Sequence, residues 1–225
     1  MPIARYKDLC IDAVDAHASA AFWGGLLGWE AHPHEDGDAC LRLDDETVLV
    51  WVNAVPETTT VKNRIHLDVR AESLEAAVRA GATVVNEQER WTVLTDPDGQ
   101  QLCVFVRDVP VSNRPYELVW DVTGDVADAH GLAQWWASVL GGDAVREDAW
   151  SSVERIENLP FEGIVFQPVP EAKTAKNRVH IDVTADALAP LIGAGAVVLR
   201  DKGDDGIGWT VMADPAGNEF CAFTP

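Results

Sequence analysis

The sequence predicts an α+β protein built from four βαβββ modules, two in each of two homologous halves. The first observation is an octet that occurs twice, as KNRIHLDV at 62–69 and as KNRVHIDV at 176–183. The second is a longer match, in which WTVLTDPDGQQLCVF at 91–105 returns as WTVMADPAGNEFCAF at 209–223. The third is that strand-like and helix-like patterns follow one another in the same order in each quarter of the chain.

The first module begins with a strand pattern, LCIDAV, and continues into a helix pattern, DAHASAAFWGGLLG, that should end at Gly28. Glycine after the last helical residue is a common helix stop because it adopts the left-handed conformation without strain. Three strand-like runs follow, and they read WEAHPHE, ACLRLDD and TVLVWVNAV.

The second module repeats this order. RIHLDVR predicts a strand, and SLEAAVRAGA predicts a helix that ends at Gly81. The three remaining strands are TVVNEQE, WTVLT and QLCVFVR, with a tight turn at DPDG (96–99) between the last two. In the second half, AQWWASVLGGDA (133–144) matches AAFWGGLLGWEA (20–31) more loosely. We therefore predict domains at 1–110 and 111–225, joined by the proline-containing linker RDVPVSNRPYE.

The composition disfavours nucleic-acid-binding, membrane-spanning and disulfide-rich proteins. The 225 residues are 47% hydrophobic and carry a formal net charge of −20. Such a charge repels nucleic-acid phosphates and favours solubility, or attraction of a cationic small molecule. No apolar run is long enough for a membrane span, and no secretory signal is evident. The four cysteines are scattered without a CxxC pair, which predicts a cytoplasmic protein without a disulfide scaffold.

The two octets predict polar strand faces. Side chains alternate along a strand, so Ile65, Leu67 and Val69 should face the core and the residues between them should face a cleft. Polar groups that converge in a cleft are the usual mark of a ligand site. The candidates are Arg64, His66 and Asp68 in the first half and Arg178, His180 and Asp182 in the second.

A structural role is the alternative for these residues. An aspartate recurs in the first strand of every module, as Asp12, Asp68, Asp121 and Asp182. A feature shared by all four modules, including two without the arginine and histidine, is more simply part of the framework. The arginine and the aspartate of one octet could also form an ion pair.

The octets and the DPxG turn followed by a cysteine strand resemble the vicinal oxygen chelate superfamily, the glyoxalase, bleomycin-resistance and dioxygenase group. The resemblance covers essentially the whole chain. It implies that the two modules of each half pair into an eight-stranded, incompletely closed half-barrel whose concave face forms the binding cleft.

Metal-dependent members of this superfamily draw histidine and glutamate ligands from the first and last strands of these modules. At the matching positions this chain has Arg64 and Arg178 for histidine, and Cys103 and Cys221 for glutamate. A guanidinium has no free lone pair for a metal. We therefore expect no metal and no cofactor, and we expect ion pairs of Asp8 with Arg64 and of Glu117 with Arg178 in place of the ion.

Three further side chains are candidates for ligand contact. Cys103 and Cys221 follow the DPxG turns, and a cysteine can act as a nucleophile beside a basic group or serve as an apolar filler. Trp51 does not recur between the halves, which favours ligand stacking over a framework role.

The function predicted from these features is metal-independent binding of a small molecule, as in sequestration of an antibiotic or another toxic metabolite. The alternative is a glyoxalase-type lyase or isomerase, with Arg64 or Arg178 holding an oxyanion and His66 or His180 as general acid–base. The partner is a small-molecule ligand, and the protein is either a monomer with two pseudo-equivalent domains or a homodimer.

Overall fold

The computed structural model describes residues 1–43, 47–107 and 115–225, and these residues form four βαβββ modules. The end of the predicted strand ACLRLDD at 44–45 and the predicted domain boundary at 110/111 lie outside the described residues. The first module consists of β1 (Arg5–Ala13), α1 (Ala16–Leu27), β2 (Glu30–Pro33), β3 (Ala39–Arg42) and β4 (Val48–Ala54). The second consists of β5 (Ile65–Ala71), α2 (Leu74–Ala80), β6 (Thr83–Glu87), β7 (Thr92–Thr95) and β8 (Gln101–Val106).

The second half repeats the plan. The third module consists of β9 (Pro115–Thr123), α3 (Val126–Leu140), β10 (Asp143–Arg146), β11 (Ser151–Glu154) and β12 (Gly163–Val169). The fourth consists of β13 (Val179–Thr184), α4 (Ala189–Gly193), β14 (Val197–Arg200), β15 (Thr210–Ala213) and β16 (Glu219–Phe223), with a short 3₁₀ turn at Asp204–Gly206. The predicted α+β class and module order are confirmed.

The two predicted glycine stops are confirmed as well. Gly28 ends α1 with a φ of 69°, and Gly81 ends α2 with a φ of 116°. At the other end of α1, the Asp15 side chain accepts a hydrogen bond from the Ala18 amide and so caps the helix. Among the described residues, no helix combines the length and the apolar character that a membrane crossing requires.

The modules pair across the halves, and the prediction that each half forms its own half-barrel is wrong. The first sheet joins modules one and four, in the order β14-β15-β16-β13-β1-β4-β3-β2. The second sheet joins modules three and two, in the order β10-β11-β12-β9-β5-β8-β7-β6. All four leading strands have polar residues on one face and apolar residues on the other, so this pattern is satisfied by either pairing. The polar and apolar pattern of the leading strands therefore does not show which modules pair.

In each half, a tryptophan on the first helix forms a hydrogen bond to the other module. The indole nitrogen of Trp23 on α1 donates to Asp96 Oδ2 at 3.3 Å, in the DPDG turn of module two. Trp136 on α3 donates in the same way to Asp214 Oδ2 at 3.1 Å, in the DPAG turn of module four. Strands therefore join the two halves, while a buried tryptophan and a turn aspartate join the two modules within each half. This explains why both residues recur.

Candidate functional site

The alternation predicted for the octets is present in both. Ile65, Leu67 and Val69 are buried in the core, as are Val179, Ile181 and Val183. His66 and Asp68 lie on the opposite, concave face of the second sheet and line a cleft of about 920 Å³. That volume is in the range of sites for drug-sized ligands.

Three of the predicted residues meet in this cleft. His66 Nε2 lies 3.3 Å from Asp68 Oδ1, and the ligating atoms of His66, Asp68 and Cys103 all lie within 4.8 Å of one another. Burial raises the pKa of the Cys103 thiol well above its usual value, and the charge of Asp68 raises it further. Cys103 is therefore a neutral thiol at physiological pH, which disfavours a role as nucleophile.

Glu117 is a cleft residue that the sequence analysis treated only as the partner of Arg178. It lies on β9 directly opposite Asp68 on β5. The pKa of Glu117 is raised to about 7, mainly by burial and also by the charges of Asp68 and Glu162, against the opposing charge of Arg70. A carboxyl with this pKa exchanges protons near neutral pH.

The wall and rim of the cleft are aromatic and basic. The Trp91 and Phe105 rings stack with centroids 6.0 Å apart, and Phe105 meets Tyr116 edge-on at 5.7 Å. The Arg70 guanidinium lies 3.8 Å from the centroid of the Tyr116 ring, and that of Arg107 lies 5.4 Å from the centroid of Phe105. Sequence reasoning missed these residues because they come from three strands and the end of a fourth.

Arg64 and Arg178 do not lie in this cleft. Arg64 donates to Thr123 Oγ1 at 2.7 Å and to the Glu171 carbonyl at 3.0 Å. Arg178 donates to Asp98 Oδ2 at 2.8 Å and to the Glu57 carbonyl at 2.6 Å. Both line a second cavity of about 540 Å³ between the halves. The expected pairs of Asp8 with Arg64 and of Glu117 with Arg178 are therefore wrong.

The lysines of the octets also join the two halves at this cavity, and we call this region the junction between the halves. Lys62 Nζ lies 2.7 Å from Asp121 Oδ2, and Lys176 Nζ lies 2.6 Å from Asp12 Oδ2. Each octet thus contributes a lysine and an arginine that hold the opposite half. The aspartates divide into two classes: Asp12 and Asp121 bind the lysines of this junction, whereas Asp68 and Asp182 lie beside histidines.

Trp51, His180, Asp182 and Cys221 belong to the first sheet. Trp51 is half-buried on β4 and packs against His34 with ring centroids 5.3 Å apart. His180, Asp182 and Cys221 are buried on β13 and β16, together with Cys10 on β1. The structure therefore separates the predicted ligand-binding residues into three places: the cleft, the junction between the halves, and the buried face of the first sheet.

Asp8, Arg64 and Arg178, which the resemblance matches to metal-ligand positions or their neighbours, each contact another protein group. In the first sheet, Asp8 contacts Lys7, and Arg178 binds Asp98. In the second sheet, the corresponding arginine, Arg64, binds Thr123. A guanidinium cannot ligate a cation, and its charge disfavours one nearby.

The chain is similar to known proteins at the level of domain and fold. The family model of the glyoxalase-like domain matches twice, at residues 8–105 and 121–223. Comparison with curated proteins gives no significant match. Glyoxalase I from Zea mays is 12% identical with a TM-score of 0.63, and the match covers 98% of this chain and 92% of that one.

Two further solved structures have similar folds. A putative dioxygenase from Bacillus subtilis is 12% identical with a TM-score of 0.60, and the match covers 100% of this chain and 86% of that one. The cppA protein from Streptococcus pneumoniae is 11% identical with a TM-score of 0.53, and the match covers both chains completely. The twofold domain match shows the family: this chain belongs to the glyoxalase-like domain family of the vicinal oxygen chelate superfamily and carries that domain in tandem.

Proposed function

We propose that the protein binds a small molecule in the cleft of the second sheet and that no metal ion takes part in this binding. The observation that carries the proposal is a cleft of about 920 Å³ with an aromatic wall and a basic rim. Stacked aromatic rings offer a flat apolar surface to a planar ligand. The biological role that fits binding without chemistry is sequestration, of an antibiotic or another toxic metabolite.

The cleft favours an anionic group on the ligand. Its lining includes four basic side chains, those of Lys62, Arg70, Arg90 and Arg107, against the two carboxyls of Asp68 and Glu117. Lys62 and Arg70 already pair with Asp121 and Glu162, so Arg90 and Arg107 at the rim are the better contacts for a carboxylate or sulfonate. A basic rim on a chain with a net charge of −20 is a local reversal of sign. This argues against the cationic ligand that the net charge alone suggested.

The test uses the aromatic anion 8-anilinonaphthalene-1-sulfonate in buffer with a chelator, with tryptophan quenching and dye emission as readouts. We expect saturable binding by the folded protein and weaker binding of a cationic aromatic dye of similar size. Arg107→Ala and Trp91→Ala should each weaken sulfonate binding. Trp51→Phe, a change in the first sheet, is the matched control and should not.

Two outcomes would count against the proposal. One is equal binding of both dyes with no effect of Arg107→Ala, because the basic rim would then have no role. The other is binding that appears only when the chelator is left out, because a metal ion would then be part of the site. Far-ultraviolet circular dichroism of each variant excludes the trivial binding of the dye to unfolded chain.

A second candidate function, proton transfer of the glyoxalase type, is favoured by Glu117. Its pKa of about 7 and its position opposite Asp68 suit a general acid–base. Arg64 and Arg178 are not available to hold an oxyanion there, so Arg90 or Arg107 takes that role in this alternative. The test is exchange of the carbon-bound proton of α-hydroxycarbonyl compounds in D₂O, followed by NMR. Proton exchange that is lost in Glu117→Gln would support an enzyme that transfers protons. If none of these compounds exchanges its proton, ligand binding without chemistry stands as the function.

A further inference from the structure

The cavity of about 540 Å³ at the junction between the halves, which we call the junction cavity, has two similar ends. It is lined by the segments that lead into the octets, PETTTVKNR at 56–64 and PEAKTAKNR at 170–178, which have the same length. The arginine that ends each segment donates to a backbone carbonyl of the other segment, at 3.0 Å and at 2.6 Å. The two ends of the cavity can therefore be compared residue by residue.

The charges that line the junction cavity are paired except at one end. The two lysines each pair with a buried aspartate of a leading strand. Arg178 pairs with the Asp98 carboxylate at 2.8 Å. Arg64 donates to neutral groups, the Thr123 hydroxyl and the Glu171 carbonyl. Within the described part of the chain, Arg64 is thus the one cation of this cavity without a carboxylate partner.

This difference follows from one position in the two DPxG turns. The third residue is Asp98 in DPDG and Ala216 in DPAG. The two turns have the same local geometry, because the amide of this residue donates to Oδ1 of the first aspartate of the turn at 2.9 Å in both. Arg178 therefore receives its carboxylate from the protein. At the equivalent place beside Arg64, the described residues provide none.

The DPAG turn is also less crowded than the DPDG turn. Ala216 is exposed, and a Cβ on Gly217 would meet nothing within 4 Å. A Cβ on Gly99, in the other turn, would lie 3.9 Å from Thr59. Small apolar and hydroxyl side chains form much of the cavity wall, among them Thr60, Val61, Ala172, Thr174 and Ala175. A ligand of modest size therefore has both a place and an apolar surface here.

We propose that the junction cavity binds a small organic monocarboxylate, whose carboxylate pairs with Arg64 as Asp98 pairs with Arg178. A guanidinium has five N–H donors in a fork that fits a carboxylate, and Arg64 Nε is shielded from solvent without a hydrogen-bond partner. The volume of the cavity is in the range of small-molecule sites. The exposed acidic residues Glu57 and Glu171 also line it, and their charges disfavour a ligand with a second negative group.

This site is separate from the cleft of the second sheet. Of the residues that line the two cavities, Lys62 is shared, whereas Arg64 and the DPAG turn lie outside the cleft. The inference therefore does not rest on the function proposed above. The substitutions that test it leave Lys62 unchanged.

The test measures thermal unfolding of the whole chain with four monocarboxylates, acetate, butyrate, lactate and benzoate, each compared with its neutral amide. We expect at least one carboxylate to raise the unfolding midpoint in a saturable way, because a ligand that binds only the folded state stabilises it. The matching amide should have little effect, since it brings no charge to Arg64. Sodium chloride at equal ionic strength is the control for general salt effects.

Two opposite substitutions in the turns locate the site. Ala216→Asp gives the DPAG turn the carboxylate of the DPDG turn. It should raise the midpoint without ligand and weaken carboxylate binding by about tenfold or more, because the protein then occupies Arg64 itself. Asp98→Ala should lower the midpoint and open a second place beside Arg178. The carboxylate should then raise the midpoint of Asp98→Ala more than that of the parent.

Each remaining outcome overturns the inference. No response to any of the four carboxylates would refute the site, and unchanged binding in Ala216→Asp would show that the ligand does not use the place beside Arg64. Binding that persists in Arg64→Gln and is lost in Arg107→Ala would place the carboxylate in the cleft, against this inference and in favour of the function proposed above. Because Ala216 is exposed, Ala216→Asp keeps the test usable if Arg64→Gln fails to fold.

Discussion

Arg178 in the second half of the chain donates to Asp98 in the first half across 2.8 Å, with both side chains largely buried. The Asp98 carboxylate also accepts from the Val14 amide at 2.9 Å, so it links the end of β1 to the octet strand of module four. The pseudo-equivalent of Asp98 in the DPAG turn is Ala216. Arg64 accordingly binds a hydroxyl and a carbonyl instead of a carboxylate.

This asymmetry predicts unequal effects for two otherwise matched substitutions. Arg178→Ala should lower the free energy of unfolding by about 3 kcal/mol, because it leaves the largely buried Asp98 carboxylate without its counter-charge. Arg64→Ala should cost about 1 kcal/mol, as expected for the loss of hydrogen bonds to neutral groups. Urea unfolding at neutral pH measures both values. Equal losses in the two variants would show that the charge of Asp98 adds nothing at the junction.

Two neighbouring glycines of α1 should respond in opposite directions to the same change. A Cβ on Gly24 would lie 2.8 Å from the Trp29 carbonyl oxygen, which is backbone and cannot move aside. A Cβ on Gly25 would meet nothing within 4 Å. Gly25→Ala should therefore stabilise the protein by about 1 kcal/mol, the usual gain in a helix interior. Gly24→Ala should destabilise it by about 1 kcal/mol or more, because overpacking outweighs that gain.

Thermal and urea unfolding of the two glycine variants are the measurement. Each variant serves as the control of the other, since both changes add one methyl group to the same turn of the same helix. Stabilisation by Gly24→Ala would mean that α1 shifts away from the Trp29 carbonyl at little cost.

The local elements could be predicted from the sequence because each signal acts over a few residues. Gly28 and Gly81 end helices as expected, and the apolar positions of the octets lie in the core. Trp23 and Trp136 lie within the predicted helix patterns, and both are buried. These inferences need only the period of the hydrophobic pattern and the conformational freedom of glycine.

The pairing of modules and the contents of the sites could not be predicted, because they depend on strand register between distant segments. His180 lies opposite Cys10 although 170 positions separate them in the sequence, and neither local sequence indicates that the two residues are partners. Arg64 follows the alternation of the octet but precedes the first residue of β5, where its side chain reaches Thr123 instead of the cleft. The cleft residues Trp91, Phe105 and Tyr116 likewise come from separate segments of modules two and three.

Glu117 provides a prediction about pH. Its pKa in the folded protein is raised to about 7, whereas a glutamate in an unfolded chain titrates near 4.3, so between these values the folded state holds a proton that the unfolded state has released. The contribution of Glu117 to the free energy of unfolding therefore falls as pH rises from about 4.3 to about 7 and is constant above that window. The pKa of Asp182 is also raised to about 7, mainly by burial, so its contribution to the free energy of unfolding falls with pH in the same way.

Glu117→Gln removes one of these two contributions. The difference in free energy of unfolding between the variant and the parent should shift in favour of the variant as pH increases from 5 to 8, because the glutamine needs no proton to remain in the half-buried cleft. Urea unfolding at several pH values gives this difference, and contributions from all other groups largely cancel in it. The exposed Glu35→Gln change is the control, with a difference that should stay flat. A flat profile for Glu117→Gln as well would mean that this carboxyl is already ionised at pH 5, and the case for proton transfer in the cleft would then lose its general acid–base.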